Sequence, residues 1–185
     1  MRIDRDGRGR IELAASDAHW PDAAQAEFLR LGELLGDVLV RSEHIGSTSI
    51  PGLAAKPIID LLPVVDRLAR LDDARPALES AGYEWRGEFG IAGRRLCLRD
   101  CPETGARLFN IHFFAVGDSE IARHVAFRDY LRVHPQECDA YERVKRDAAA
   151  RHPDSVFDYN DAKSPWIKAC ELRAIAWATS LASDR

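Results

Sequence analysis

Glu43-His44-Ile45-Gly46-Ser47-Thr48-Ser49-Ile50-Pro51-Gly52 runs through Leu53-Ala54-Ala55 into Lys56-Pro57-Ile58-Ile59-Asp60. It reads as the end of one strand, a Gly- and Ser-rich turn, and the start of another strand. The first strand is expected over Val38 to Ile45. The second, Ile58 to Val65, is almost continuously apolar, as a strand covered on both faces would be. Asp60 is the only charge between Pro57 and Val65. A carboxylate in such a run is costly unless it is paired, protonated or bound to a cation. Gly46 permits close approach of a ligand or an unusual backbone conformation, and Ser47 and Thr48 offer hydroxyls and backbone N–H groups to a phosphate. No Gly-Lys-Ser/Thr follows the glycines, so this is not a Walker A loop. A purely structural turn, with Asp60 in an ion pair to Lys56, is the competing reading.

Outward from this stretch, Trp20, Ala24, Phe28, Leu31 and Leu35 recur at helical spacing, with Ser16 or Asp17 as a possible cap and Gly36 as the stop. Residues 1–15 read as an N-terminal arm or edge strand around Arg10-Ile11-Glu12-Leu13. Asp66 to Ala81 reads as one helix in spite of Pro76. Arg94 to Arg99 and Arg107 to Val116 look like a hairpin. Three helices are expected after it: Ser119 to Val133, Glu137 to Arg151, and Pro165 to Ser183. For the last, Ser164 is the expected N-cap, Pro165 opens the helix, and Trp166, Cys170, Trp177 and Leu181 form its buried stripe. The whole, residues 1–185, is expected to be a single α+β domain. It has a mixed sheet packed by helices and, over about 119–185, a mostly helical C-terminal part.

The chain has 185 residues, 46% hydrophobic and 30% charged, with a formal charge of −4. That size supports a core without staples, and that charge gives no global attraction to nucleic acid or anionic membrane. No apolar run is long enough for a membrane span, and Met1-Arg2-Ile3-Asp4 begins no signal peptide, so a cytoplasmic location is expected. Cys97, Cys101, Cys138 and Cys170 form no Cys-x-x-Cys pair, which argues for free thiols.

The Gly-Ser turn followed one strand later by an aspartate resembles the nucleotidyltransferase superfamily. The match to the GrpB family within it is closer: the Glu43–Asp60 stretch, Asn110-Ile111-His112, Phe127-Arg128-Asp129-Tyr130-Leu131-Arg132, His134-Pro135, Tyr141 and Lys145 all fit that family. The resemblance covers roughly Trp20 to Lys168. It implies a nucleotidyltransferase-like fold and a nucleotide or other phosphorylated small molecule as ligand. In active superfamily members an Asp-x-Asp pair and a third carboxylate hold a divalent metal, magnesium or manganese, for nucleotidyl transfer. Here Leu62 stands at the second acid position, and Asn110 and His112 stand where the third is expected. Two-metal chemistry needs several anionic oxygens. Asp60 alone remains as catalytic candidate and metal ligand, with Glu43 or Glu88 as possible substitutes.

The candidate ligand-binding set is therefore His44, Gly46, Ser47, Thr48, Lys56, Asn110, His112 and Arg128. Asn110 and His112 share one face of a strand whose other face (Phe109, Ile111, Phe113) is core. Arg128 can meet a phosphate or an internal carboxylate. Arg95 and Arg99 either line the same cleft or face solvent, and Lys145, in the mixed-charge run Tyr141–Asp147, reads from its pattern as a solvated residue. Two alternatives stay open: a non-catalytic regulatory or partner-binding module with a degenerate metal site, and a hydrolase with one transition metal on His44, Asp60 and His112.

Overall fold

The apolar run after Lys56 becomes an interior strand of the sheet because, Asp60 apart, it has no polar face to offer to water. In the computed structural model, which describes residues 1–4 and 7–183, the elements follow in this order: α1 (Trp20–Leu35), β1 (Leu39–Ile45), a 3₁₀ turn (Ser47–Ser49), β2 (Ile59–Val65), α2 (Leu68–Asp73), α3 (Arg75–Ser80), β3 (Tyr83–Gly87), β4 (Arg95–Asp100), β5 (Arg107–Ala115), α4 (Ser119–Val133), α5 (Pro135–Arg151) and α6 (Val156–Ser183). The sheet order is β1-β2-β5-β4-β3. β2 pairs antiparallel with β1 and parallel with β5, and β4 and β5 form the expected antiparallel pair.

Strand alternation sends Ile59, Leu61 and Val65 to one face, where they pack with α1, Leu71 of α2 and Leu78 of α3. Leu62 and Val64 go to the other, with Ile45, Phe114 and Ile121 of α4. α4, α5 and α6 close over that second face around Ile50, Leu53, Tyr130, Tyr141 and Cys170. The α+β architecture expected from the pattern is the one observed.

Several local expectations need correction. α1 starts at Trp20 with His19 as N-cap and no capping side chain; Asp17 instead accepts a hydrogen bond from the His19 N–H at 2.9 Å. The helix expected over Asp66–Ala81 is two short ones, broken at Ala74, because Pro76 cannot continue a hydrogen-bond ladder but suits the first turn of a new helix. β3 was not anticipated at all. Most consequentially, α6 begins at Val156, and Pro165 lies inside it. A proline in a helix interior costs about 3 kcal/mol. Burial of the apolar Val156 and Tyr159 along the earlier turns offsets that cost. Leu181, expected in the buried stripe, is exposed. Among its described residues the arm forms no strand: its bridges are Arg8 to Ser155 and Ala14 to Ala55, and Ile11 packs on Ala148, Val156 and Tyr159.

Candidate functional site

β1 delivers the chain to Gly46, whose φ of 69° and ψ of −172° suit glycine. A methyl group built on Gly46 would fall 2.9 Å from the Asp60 Cβ and closer still to its Oδ2. The turn and the aspartate are thus pressed together, and only glycine fits between them. The turn is then fixed from three sides. Ser49 donates its hydroxyl to the Gly46 carbonyl at 2.6 Å. His44 Nε2 is hydrogen-bonded to Thr48 Oγ1 at 2.9 Å. Arg132 of α4 grips the Ser49 carbonyl with Nε at 3.1 Å and Nη2 at 2.8 Å. Burial, reinforced by Arg132 and Arg128 and only partly opposed by Asp60, holds the His44 imidazole down to about 4, so the ring is neutral at pH 7.

Asp60 accepts from Asn110 Nδ2 at 2.9 Å, and His112 Nε2 lies 3.6 Å from the same oxygen. Arg94, which can only donate, sits 3.3 Å from His112 Nδ1; that nitrogen is therefore the acceptor, and Nε2 carries the hydrogen facing Asp60. Burial would raise the Asp60 carboxyl. The contacts with His112 and Asn110, aided by the Lys56 charge, prevail and keep it below its ordinary range, hence ionised.

Asp60 looks into a cavity of about 240 Å³ between the turn, β5, α5 and α6. Gly46, Ser47, Thr48, Lys56, Asn110 and His112 line it, together with Tyr141, Lys145, Tyr159, Asn160 and Lys163. Lys145 is 1% exposed and donates to the Ala54 carbonyl, with its ammonium 4.8 Å from the Tyr141 ring centre. Lys163 is 8% exposed; its ammonium lies 4.0 Å from the centre of the Tyr159 ring, and that of Lys56 lies 5.1 Å from it. Among the described residues none of these three lysines has a carboxylate within salt-bridge distance. Burial lowers all three: Lys163, further depressed by the Lys56 charge, to about 7, and Lys145 to about 8. The Ser47 hydroxyl lies beside the Tyr141 phenol, which burial raises to about 12. Among the described residues, three lysines and one carboxylate thus line the cavity.

These residues do not fit the two-metal centre of the superfamily. Among the described residues, Asp60 is the only carboxylate lining the cavity. Leu62 is 0% exposed in an apolar cluster, where an acid would be an unpaired buried charge. Asn110 turns an amide N–H toward Asp60, which is a donor where a metal site needs an acceptor. Glu43 is held by Arg41 and by Arg128 at 2.8 Å, and Glu88 takes a hydrogen bond from the Gly93 N–H. Among the described residues, no three His, Cys, Asp or Glu side chains are placed to hold a metal ion.

Of Asp60 and the candidate ligand-binding set, all but His44 and Arg128 line the cavity. His44 supports the turn from behind through Thr48. Arg128 is committed to Glu43, to both oxygens of Asp129 and to the His44 carbonyl at 3.2 Å, so it braces the end of β1. Arg95 pairs with Asp72 and Arg99 with Glu27, away from the cavity. Lys145 is the opposite case: its charged neighbours suggested a solvated face, yet it is buried. Tyr159, Asn160 and Lys163 were missed, because Ser164-Pro165 imitates a helix start and conceals the turns before it. The faint signal was Lys163 itself, three residues after Asn160 and four after Tyr159 on what proves to be one helix face.

The sequence profile described as GrpB protein matches residues 10–173. The UPF0157 protein YqkA of Bacillus subtilis is 38% identical over 168 residues, which are 91% of this chain and 48% of that protein. A dephospho-CoA kinase of Mycolicibacterium paratuberculosis is 29% identical over 195 residues, 94% of this chain and 48% of that protein. The chain therefore spans about half the length of these two relatives. Among solved structures, the conserved protein GrpB from Enterococcus faecalis superposes with a TM-score of 0.84 at 36% identity, covering 90% of this chain and 99% of that one. Cid1 in complex with its short product ApU superposes with a TM-score of 0.52 at 17% identity, over 75% of this chain and 43% of Cid1. At that identity the likeness to Cid1 is one of fold, and the fold is nucleotidyltransferase-like. The profile match and the YqkA and Enterococcus likenesses span the turn, Asp60, β5 and the helices that carry the lysines, and the chain belongs to the GrpB family.

Proposed function

We propose that the cavity binds the phosphate groups of a phosphorylated small molecule, a nucleotide in the first instance. The observation that carries this is the cluster of Lys56, Lys145 and Lys163 around one lining carboxylate, Asp60, with none of the three in a salt bridge among the described residues. Like charges buried together raise one another's energy, and a bound polyanion reverses the sign of that interaction. The N–H groups and hydroxyls of Ser47 and Thr48 lie on the same wall and can complete the anion's hydrogen bonds. Asn110 and His112 present donors beside Asp60. The same fold in Cid1, which holds ApU, and the dephospho-CoA kinase relative are consistent with a nucleotide-like ligand. Such ligands and the unpaired thiols of Cys97, Cys101, Cys138 and Cys170 suit a cytoplasmic setting. No helix among the described residues is long and apolar enough to cross a membrane.

The test is calorimetry with pyrophosphate and ATP, first without divalent cations. Lys163→Gln should weaken both about 10- to 100-fold, the loss expected when one charged hydrogen bond is removed. Binding that is the same in the variant, or no binding to the parent protein, refutes the proposal.

Metal-dependent nucleotidyl transfer is the second reading, favoured by the placement of Asp60 directly against the Gly-Ser turn. Asp60→Asn separates the two. If the cavity is an anion site without a resident metal, loss of the one negative charge strengthens pyrophosphate binding, about 3- to 10-fold. If Asp60 holds magnesium for a nucleotide, the same change weakens binding of ATP when magnesium is present.

A further inference from the structure

The cavity does not close beyond Asp60. Lys56, Ile58, Asn110, His112 and Asn160 line both it and an adjoining groove of about 880 Å³. That is within the roughly 300–1,000 Å³ usual for small-molecule sites. The groove's outer wall is the loop between β3 and β4, which carries Phe89. Among the described residues Phe89 is the non-glycine position with positive φ, at 43°. It is also 52% exposed. A bulky residue held in the left-handed region without burial gains no packing in return for the strain, and strain of this kind gathers at ligand sites.

Arg94 is what holds the loop in place. It is 6% exposed, and its guanidinium donates to the Glu88 carbonyl at 3.1 and 3.2 Å and to the Phe89 carbonyl at 2.6 Å. The same guanidinium reaches His112, the residue that faces Asp60. One buried arginine therefore sets the position of an exposed aromatic ring relative to the lysine cavity. Arg86, paired with Glu84 at 3.1 Å, lies 5.8 Å from the ring centre, and Asp4 and Asp161 also line the groove.

We propose that Phe89 is a stacking platform for the planar base of a nucleotide whose phosphate lies among Lys56, Lys145 and Lys163. The inference rests on the anion-site reading above and adds the base subsite to it. An aromatic side chain stacks on any base, so the subsite discriminates nucleotides from sugar phosphates more than one base from another.

The experiment compares AMP with ribose 5-phosphate, which differ only in the base, on the full chain by calorimetry. The parent protein should bind AMP about tenfold more tightly. Phe89→Gly removes the ring and leaves the positive-φ backbone at ease; it should erase the margin and leave ribose 5-phosphate unchanged. Phe89→Trp should keep the margin. Equal affinities in the parent protein, or an equal loss for both ligands in Phe89→Gly, would overturn the subsite while leaving the anion site standing. Failure of ribose 5-phosphate, AMP and pyrophosphate alike to bind would overturn the anion site, and the base subsite with it.

Discussion

Gly46→Ala puts the most heavily constrained point of the fold under test. Two separate costs follow from the structure. The backbone at φ 69° and ψ −172° is in a region that is essentially closed to side chains, which costs about 1–3 kcal/mol. The added methyl would then overlap the Asp60 side chain, with its Cβ at 2.9 Å. Because β2 is locked between β1 and β5, Asp60 cannot retreat with its strand, and overpacking of this sort costs about 1–3 kcal/mol. The sum is about 2–6 kcal/mol, and urea denaturation should show it as a midpoint lowered by about 1–3 M. A second background divides the two costs. In Asp60→Gly the obstacle is gone, so adding Gly46→Ala there should cost only the backbone portion, leaving a coupling of about 1–3 kcal/mol. A Gly46→Ala protein within about 0.5 kcal/mol of the parent refutes the reasoning altogether. An equal loss in both backgrounds refutes the part that concerns the close approach of turn and aspartate.

Other consequences can be checked alongside. Lys163 and Lys145 are lowered by the fold to about 7 and about 8. Between those values and the ordinary lysine range the unfolded chain holds more protons than the folded one, so stability of the ligand-free protein should rise with pH from about 7 towards 10. Urea titrations across that window would show the slope, and a fall would contradict it. Anion binding favours the charged amines; at pH 8 it should take up protons, measured as a dependence of the calorimetric enthalpy on the buffer's ionisation heat, and proton release would be the wrong sign. Arg128→Met should lower stability by about 1.5–3 kcal/mol, since it leaves Glu43 and the His44 carbonyl short of a charged donor. It should change pyrophosphate affinity less than threefold, because Arg128 lies outside the cavity; a tenfold loss would make it a ligand group after all.

The residues from Glu43 to Asp60 were legible because their constraints are local. A positive-φ glycine, hydroxyl residues beside it and one acid in an apolar strand each leave a mark on the sequence. The face of Leu62 was legible too, since strand alternation fixes it, and Leu62 does lie in the core where an acid of the superfamily would be. The lysines were not legible, because what buries them is tertiary. Lys145 has Glu142, Arg146 and Asp147 around it in sequence and differs from them only in pointing at the Ala54 carbonyl. Lys163 was hidden by Pro165, a residue that local rules place at a helix start and that packing here tolerates nine residues inside one. β3 carried an alternating signal in Tyr83, Glu84, Trp85 and Arg86, but one short edge strand after Gly82 is easily absorbed into a loop. Arg128 illustrates the reverse error: an arginine near a site reads as a ligand group, and only geometry shows that Glu43 and Asp129 already hold it.

The most direct measurement is a crystal structure of the protein grown with pyrophosphate and no divalent cation. The account predicts the anion inside the cavity, with oxygens in hydrogen-bond reach of the Lys56 and Lys163 ammonium groups and of the Ser47–Thr48 N–H groups, and with Asp60 still held by Asn110. Pyrophosphate at the outer surface, or a cavity in which Lys163 has turned away to pair with an acid of the protein, would contradict it.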